Sequence, residues 1–139
     1  TNRCTVFLGC GRDESKLPPF VVHKGTPDGT IARNFRSEGY VNVVCQKKAW
    51  MDEHTMLVWI EQVWKPVAEV GPPKLLLLDH CTSHMTAKVM KRLGDLRTIV
   101  DYVPPGYTSK LQVMDVGING PFKTYLRNAY TDFNNVNLS

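Results

Sequence analysis

Four consecutive leucines, Leu75, Leu76, Leu77 and Leu78, stand between Pro72-Pro73 and the polar run Asp79-His80-Cys81. A run this short and this apolar, fenced by prolines, predicts a strand buried on both faces. Such strands sit in sheets covered by helices, so this segment steers the chain toward an α/β layer architecture. Its surroundings agree. Before it, Met56, Leu57, Ile60, Val63, Trp64 and Val67 recur at three- and four-residue steps. That spacing predicts an amphipathic helix from about Asp52, with Pro66 able to bend its end and Gly71-Pro72-Pro73 to terminate it. After it, Ser83 suits the N-cap of a helix through Val89, Met90 and Leu93, closed by Gly94. Residues 97–103 then predict a β-branched strand stopped by Pro104-Pro105-Gly106.

The flanks complete the alternation. Residues 5–8 form a short β-prone run, followed by turn chemistry at 9–15 and a second run, Phe20-Val21-Val22-His23. Two short strands joined by a polar loop predict an antiparallel pair. Residues 25–39, rich in Gly, Thr, Asp and Asn, predict a loop, and residues 40–45 a further short strand. From about Ser109 to Phe133 the chain reads as helical, with Gly117, Gly120 and Pro121 as breaks, and residues 134–139 as a frayed tail. The order β-β-(β)-α-β-α-β-α predicts a mixed sheet with an antiparallel edge and a parallel half built on β-α-β crossovers.

Composition narrows the function classes. The 139 residues make about one domain, and 42% apolar against 22% charged residues is the balance of a globular chain rather than a disordered one. No apolar run approaches the roughly 20 residues of a membrane span, and residues 1–10 do not read as a secretory signal. Cys4, Cys10, Cys45 and Cys81 show no Cys-x-x-Cys spacing, which predicts reduced, buried thiols in an intracellular protein. The net charge is +4, with +1 in residues 1–70 and +3 in residues 71–139. A mild basic surplus is compatible with a polyanionic partner.

Open α/β sheets place ligands at the carboxyl ends of their strands, and Asp79 follows the leucine strand at that position. It serves either as a site carboxylate or as a cap of the next turn. Burial would raise its pKa unless a metal or cation compensates. Asp115, among apolar neighbours early in the last helical segment, is a second candidate, with a helix-dipole role as its alternative. His80, Cys81 and His84 follow Asp79 closely enough to suggest zinc, but structural zinc draws four ligands from separated elements. Lys123 and Arg127, four residues apart, share a helix face. They face either phosphates or solvent.

Several ordered blocks together resemble the DDE superfamily endonuclease domain of pogo/Tigger-like transposases, in the mariner group. The first two are Cys4-Thr5-Val6-Phe7-Leu8 and Lys16-Leu17-Pro18-Pro19-Phe20-Val21-Val22-His23-Lys24-Gly25. Ala49-Trp50-Met51 with Trp59-Ile60 comes next, then the leucine run through Asp79-His80 with His84. The last two are Val103-Pro104-Pro105-Gly106-Tyr107-Thr108-Ser109-Lys110-Leu111-Gln112 and Met114-Asp115-Val116-Gly117-Ile118-Asn119 with Pro121-Phe122-Lys123. Val113 stands where the family usually has proline.

The resemblance implies an RNase H-like mixed sheet flanked by helices, over residues 1–133 with a tail at 134–139. It implies three carboxylates holding two Mg²⁺ or Mn²⁺ ions, with the second falling on Asp79 and the third on Asp115, with 35 residues between them. Two such ions activate an attacking oxygen and stabilise the leaving one in an in-line displacement at phosphate. The resemblance further implies DNA as partner and the nucleus as its setting, with Lys110, Lys123 and Arg127 as candidate nucleic-acid contacts. The family's first aspartate lies on a central strand upstream of the block that begins at Thr1. The expectation is therefore a domain whose first, central strand is missing, with Asp79 and Asp115 as the remaining metal ligands and little or no nuclease activity in isolation. A non-catalytic DNA- or protein-binding module is the alternative.

Overall fold

The computed structural model describes residues 3–39, 42–106, 117 and 119–137. It divides into two compact units, Thr1–Tyr102 and Val103–Ser139. In the first unit, β1 (Cys4–Phe7) pairs antiparallel with β2 (Phe20–Lys24), as the two β-prone runs predict. A helix α1 (Thr30–Ser37) then carries the chain to β3 (Val43–Gln46), which lies parallel to β2. The predicted loop at 25–39 is thus corrected to a crossover helix. Its apolar side is too narrow to show as a periodic stripe: Ala32 is buried and the Phe35 ring packs edge-on against His23.

The long amphipathic segment folds as predicted, with one modification. It comprises α2 (Glu53–Trp59), a π-helical turn (Ile60–Trp64) and α3 (Lys65–Ala68). Asp52 caps its start, accepting from the Thr55 backbone at 2.9 Å. Pro66 explains the wide turn. It has no N–H to offer Gln62, and its ring crowds that carbonyl, so loosening the preceding turn relieves the clash.

β4 (Lys74–Leu78) and β5 (Thr98–Tyr102) form a parallel pair around α4 (Ala87–Asp95). Helix α4 starts later than predicted. Thr86, not Ser83, is its N-cap, because residues 82–84 are taken up by a 3-10 turn (Thr82–His84). Gly94 lies inside the helix, and the left-handed residue that ends it is Arg97, at φ 52°.

The mixed α/β class is as expected, but the strands form two sheets. One has the order β1-β2-β3 and the other is the β4-β5 ribbon. Among the described residues, nothing pairs with the second edge of β1 or of β4. Between sheets and helices lies one core of Phe20, Val22, Met56, Trp59, Ile60, Val63, Trp64, Leu78, Val89 and Leu93, with Phe7 packed against it. Burying each large side chain contributes about 1.5–3 kcal/mol. The Trp64 indole N–H spends its polarity within the core by donating to Thr98 Oγ1 at 2.9 Å.

The leucine strand is not buried on both faces. Leu78 is sealed and Leu76 half-buried, while Leu75 and Leu77 are 67% and 49% exposed. In the second unit, α5 (Asn119–Asn137) takes Gly120 and Pro121 into its first turn, where a missing N–H costs no helix bond. It runs to Asn137, into the segment read as a tail. No helix among the described residues is long and apolar enough to cross a membrane.

Candidate functional site

β4 ends at Leu78, so Asp79 stands at the carboxyl end of a parallel strand, the position the leucine run assigns it. The backbone turns at once, with the Cys81 N–H donating to the Asp79 carbonyl at 2.9 Å and the His84 N–H to Cys81 at 3.0 Å. That turn brings His84 back beneath the strand end. His84 is 2% exposed, with the Phe7 ring 5.4 Å away. Its Nδ1 lies 2.7 Å from Asp79 Oδ1. Both atoms are shielded from solvent, so each is the other's nearest polar neighbour.

A second strand fixes the loop. The Tyr102 hydroxyl, on β5, donates to the His84 carbonyl at 2.9 Å and lies 2.9 Å from Met90 Sδ. Burial pushes the Tyr102 phenol above its ordinary value, which keeps that donor protonated. The exposed His80 ring packs edge-on against Tyr102 at 6.3 Å.

These contacts set the electrostatics. The His84 contact holds the Asp79 carboxyl below its ordinary value, outweighing the opposing effect of burial. Burial opposes ionisation of a carboxylate, and the His84 contact is what offsets it here. The Asp79 side chain is 45% exposed although Oδ1 is buried, so Oδ2 is the oxygen that faces solvent. A hard carboxylate oxygen held ionised and open to solvent has the chemistry of a Mg²⁺ or Mn²⁺ ligand. It is one donor of the several such an ion takes.

The other expectations divide. Asp115 and Lys110 lie outside the described residues. Lys123 and Arg127 are exposed on α5. Among the described residues no three His, Cys, Asp or Glu side chains converge on a common point, so the zinc reading of Asp79, His80, Cys81 and His84 is set aside. All four cysteines are thiols, with Cys45 buried and Cys4 exposed. The residues whose part the sequence left undefined are His84, as the carboxylate's partner, and Tyr102, which fixes the loop. An imidazole five residues after a strand-ending aspartate is the signal for the first. Nothing local signals the second.

The family model for DDE superfamily endonucleases matches residues 1–137. The chain is 30% identical over 135 residues to the pogo transposable element with KRAB domain of Mus musculus and, equally, to that of Homo sapiens. Each match covers 94% of this chain and 21% of the relative. It is 25% identical over 130 residues to the human pogo transposable element with ZNF domain, covering 93% of this chain and 9% of that protein. The chain therefore spans about a fifth or less of the length of these relatives. No solved structure matches.

Proposed function

Because the chain belongs to the DDE superfamily endonuclease family, as a pogo-like member, we propose that its fold serves metal-assisted cleavage and joining of DNA strands in the nucleus, with Asp79 as a metal-holding carboxylate. The observation that carries this reading is the division of labour on Asp79. One oxygen is buried against His84, which fixes the rotamer and keeps the group ionised, and the other is left to solvent. Asp115 is the second carboxylate of the proposal. When bound, the metal pair supplies activation of water or a 3′-hydroxyl and stabilisation of the leaving oxygen. The chain's own part is to aim Asp79 Oδ2 and to keep it charged.

The architecture of the proposal is RNase H-like. Its support is that β1 and β4 each keep one open edge among the described residues, as they would on either side of a central strand. The resemblance assigns two of the family's three carboxylates, Asp79 and Asp115, to these 139 residues. In isolation they are therefore expected to nick plasmid DNA weakly or not at all with Mg²⁺ or Mn²⁺. Robust nicking that disappears in Asp79→Asn would overturn that expectation. Metal holding is tested separately by titrating Mn²⁺ and following its electron paramagnetic resonance signal. Asp79→Asn is expected to weaken binding at least tenfold, and unchanged binding in both Asp79→Asn and Asp115→Asn would overturn the assignment.

A second reading, a non-catalytic module that binds nucleic acid or a protein, is favoured by the exposed cations Lys123 and Arg127 on α5. Under it, the aspartate substitutions leave DNA binding unchanged and reversal of those two charges weakens it.

A further inference from the structure

The three-stranded sheet ends, on the side where β2 and β3 stop, in an unusual concentration of positive charge. The Lys24 N–H donates to the Arg3 carbonyl at 2.9 Å, and Lys24 is in register with Gln46 on β3. Arg3 and Lys24 are thus direct cross-strand neighbours of like charge, an arrangement that destabilises a sheet unless something offsets it. Lys47 and Lys48 follow Gln46 immediately. Among the described residues, none of the four cations has an ion-pair partner. The carboxylates that follow these lysines most closely in sequence are engaged elsewhere: Asp28 pairs with Arg36 at 3.5 Å, Asp52 caps α2 and bonds Gln46, and Glu53 pairs with Lys88 at 3.5 Å.

The turn that presents these charges is firmly built. Gln46 Oε1 accepts from the Lys48 N–H at 2.7 Å and the Trp50 N–H at 3.0 Å, while its Nε2 donates to Asp52 at 3.1 Å. Thr5 of β1 donates to the Ala49 carbonyl at 2.7 Å. Ala49 is fully buried and held in the left-handed region at φ 58°, a strained conformation that persists only where its surroundings enforce it. The result is that Trp50 projects outward, 53% exposed, with Lys48 Nζ 5.0 Å from its ring centroid. Trp59 and Trp64, by contrast, are core residues.

We propose that this end of the sheet docks an unpaired nucleic-acid strand, with Arg3, Lys24, Lys47 and Lys48 taking phosphates and Trp50 stacking a base. The proposal rests on the DNA-handling reading above for its partner class, and it concerns a different surface from Asp79. Charge complementarity calls for a polyanion, since a phosphodiester chain relieves the Arg3–Lys24 repulsion. The exposed indole beside a lysine selects a strand with bases free to stack over an acidic peptide, which has none.

The test is fluorescence anisotropy of the whole chain with a labelled oligothymidylate across a salt series. Four phosphate contacts predict a slope of log K against log salt of about −3, and Lys47→Gln with Lys48→Gln flattens it by about 1.4. Trp50→Ala weakens binding about tenfold, and Trp50→Phe retains most of it. Oligothymidylate quenches tryptophan emission in the wild type and not in Trp50→Phe. All of these side chains are exposed, and circular dichroism melts matching wild type establish that the variants fold.

Unchanged affinity in both the lysine and the tryptophan variants overturns the proposal, as does the absence of any binding by the wild type. Equal displacement by polyglutamate with no effect of Trp50→Ala also overturns it, in favour of an acidic protein partner. If Lys123→Gln with Arg127→Gln weakens binding while the sheet-end variants do not, the proposal fails and the DNA-handling reading stands. The manganese titration at Asp79 reports on that reading independently.

Discussion

On β2, Phe20 and Val22 point into the core and are sealed from water. On the β4-β5 ribbon, Leu75 and its register partner Ile99 stand 67% and 64% exposed, although those strands are at least as apolar. The difference is one of cover. The three-stranded sheet lies against α2 and the π-helical turn. The ribbon turns Leu78 and Leu76 toward the same core and leaves its other face without cover from the described residues. Apolar sequence sets how much surface can be buried, and the neighbouring elements decide which half of it is. Side-chain alternation along a strand makes that division strict.

The widest separation between the two sheets is expected from truncation in each. Phe20→Ala removes a fully buried ring and is expected to cost about 3–5 kcal/mol. Leu77→Ala, at a position 49% exposed, is expected to cost less than about 1 kcal/mol. Urea denaturation of both variants measures this through their midpoints. Similar losses would remove the contrast.

The junction of the two sheets is the next test, because Phe7 of β1 packs on His84 and His84 holds Asp79 at the end of β4. His84→Ala leaves a buried carboxylate oxygen without its partner. With Asp79 half-exposed, solvent screens part of the penalty, and about 1–2 kcal/mol is expected. The pH dependence has a definite sign. The His84 contact lowers the Asp79 pKa, so its contribution is complete above the unfolded value near 4 and is lost as pH falls through the lower folded value. Melts in chelator between pH 6 and pH 3 are expected to show wild type and Asp79→Asn converging toward acid. Parallel curves would remove His84 as the cause.

A smaller effect, about 1 kcal/mol, is expected from Gln46→Ala at the far end of the three-stranded sheet, where one side-chain amide organises the turn that carries Lys48 and Trp50. Because the sheet core is untouched, the urea m-value is expected to stay constant while hydrogen exchange of the Lys48 and Trp50 amides accelerates. Unchanged exchange there would place the turn's stability in Ala49 and Thr5 instead.

How far this was legible in the sequence follows from the range of the forces involved. Every described strand and the α2 segment could be read, because their periodicity and their bracketing prolines are local. Asp79 could be read as a site residue from its position at a strand end. The α1 helix could not, since it buries little more than Ala32 and Phe35 and opens with turn-forming residues. The capping shift from Ser83 to Thr86 was hidden because serine and threonine are both good N-caps, and the 3-10 turn at 82–84 that decides between them leaves no periodic signal. The basic sheet end was masked by bookkeeping: residues 1–70 carry a net charge of only +1. Only strand register brings Arg3 beside Lys24 and sets Gln46, which Lys47 follows, on the other side of Lys24.

The smallest effect is expected where the contrast between the sheets is sharpest. Leu75 and Ile99 are register partners on the open face of the ribbon, so replacing both with threonine keeps β-branching at one site, adds it at the other, and removes apolar surface that water already reaches. Each change is expected to fall within about 0.5 kcal/mol in stability, because no cavity forms and no buried polar group is created. The same substitutions dissolve a contiguous apolar patch, so self-association at high concentration, followed by sedimentation, is expected to decrease. A stability loss of more than about 2 kcal/mol would instead mean that this face is covered in solution. In that case the double burial suggested by four consecutive leucines would hold after all, and the two sheets would differ in what covers them rather than in whether they are covered.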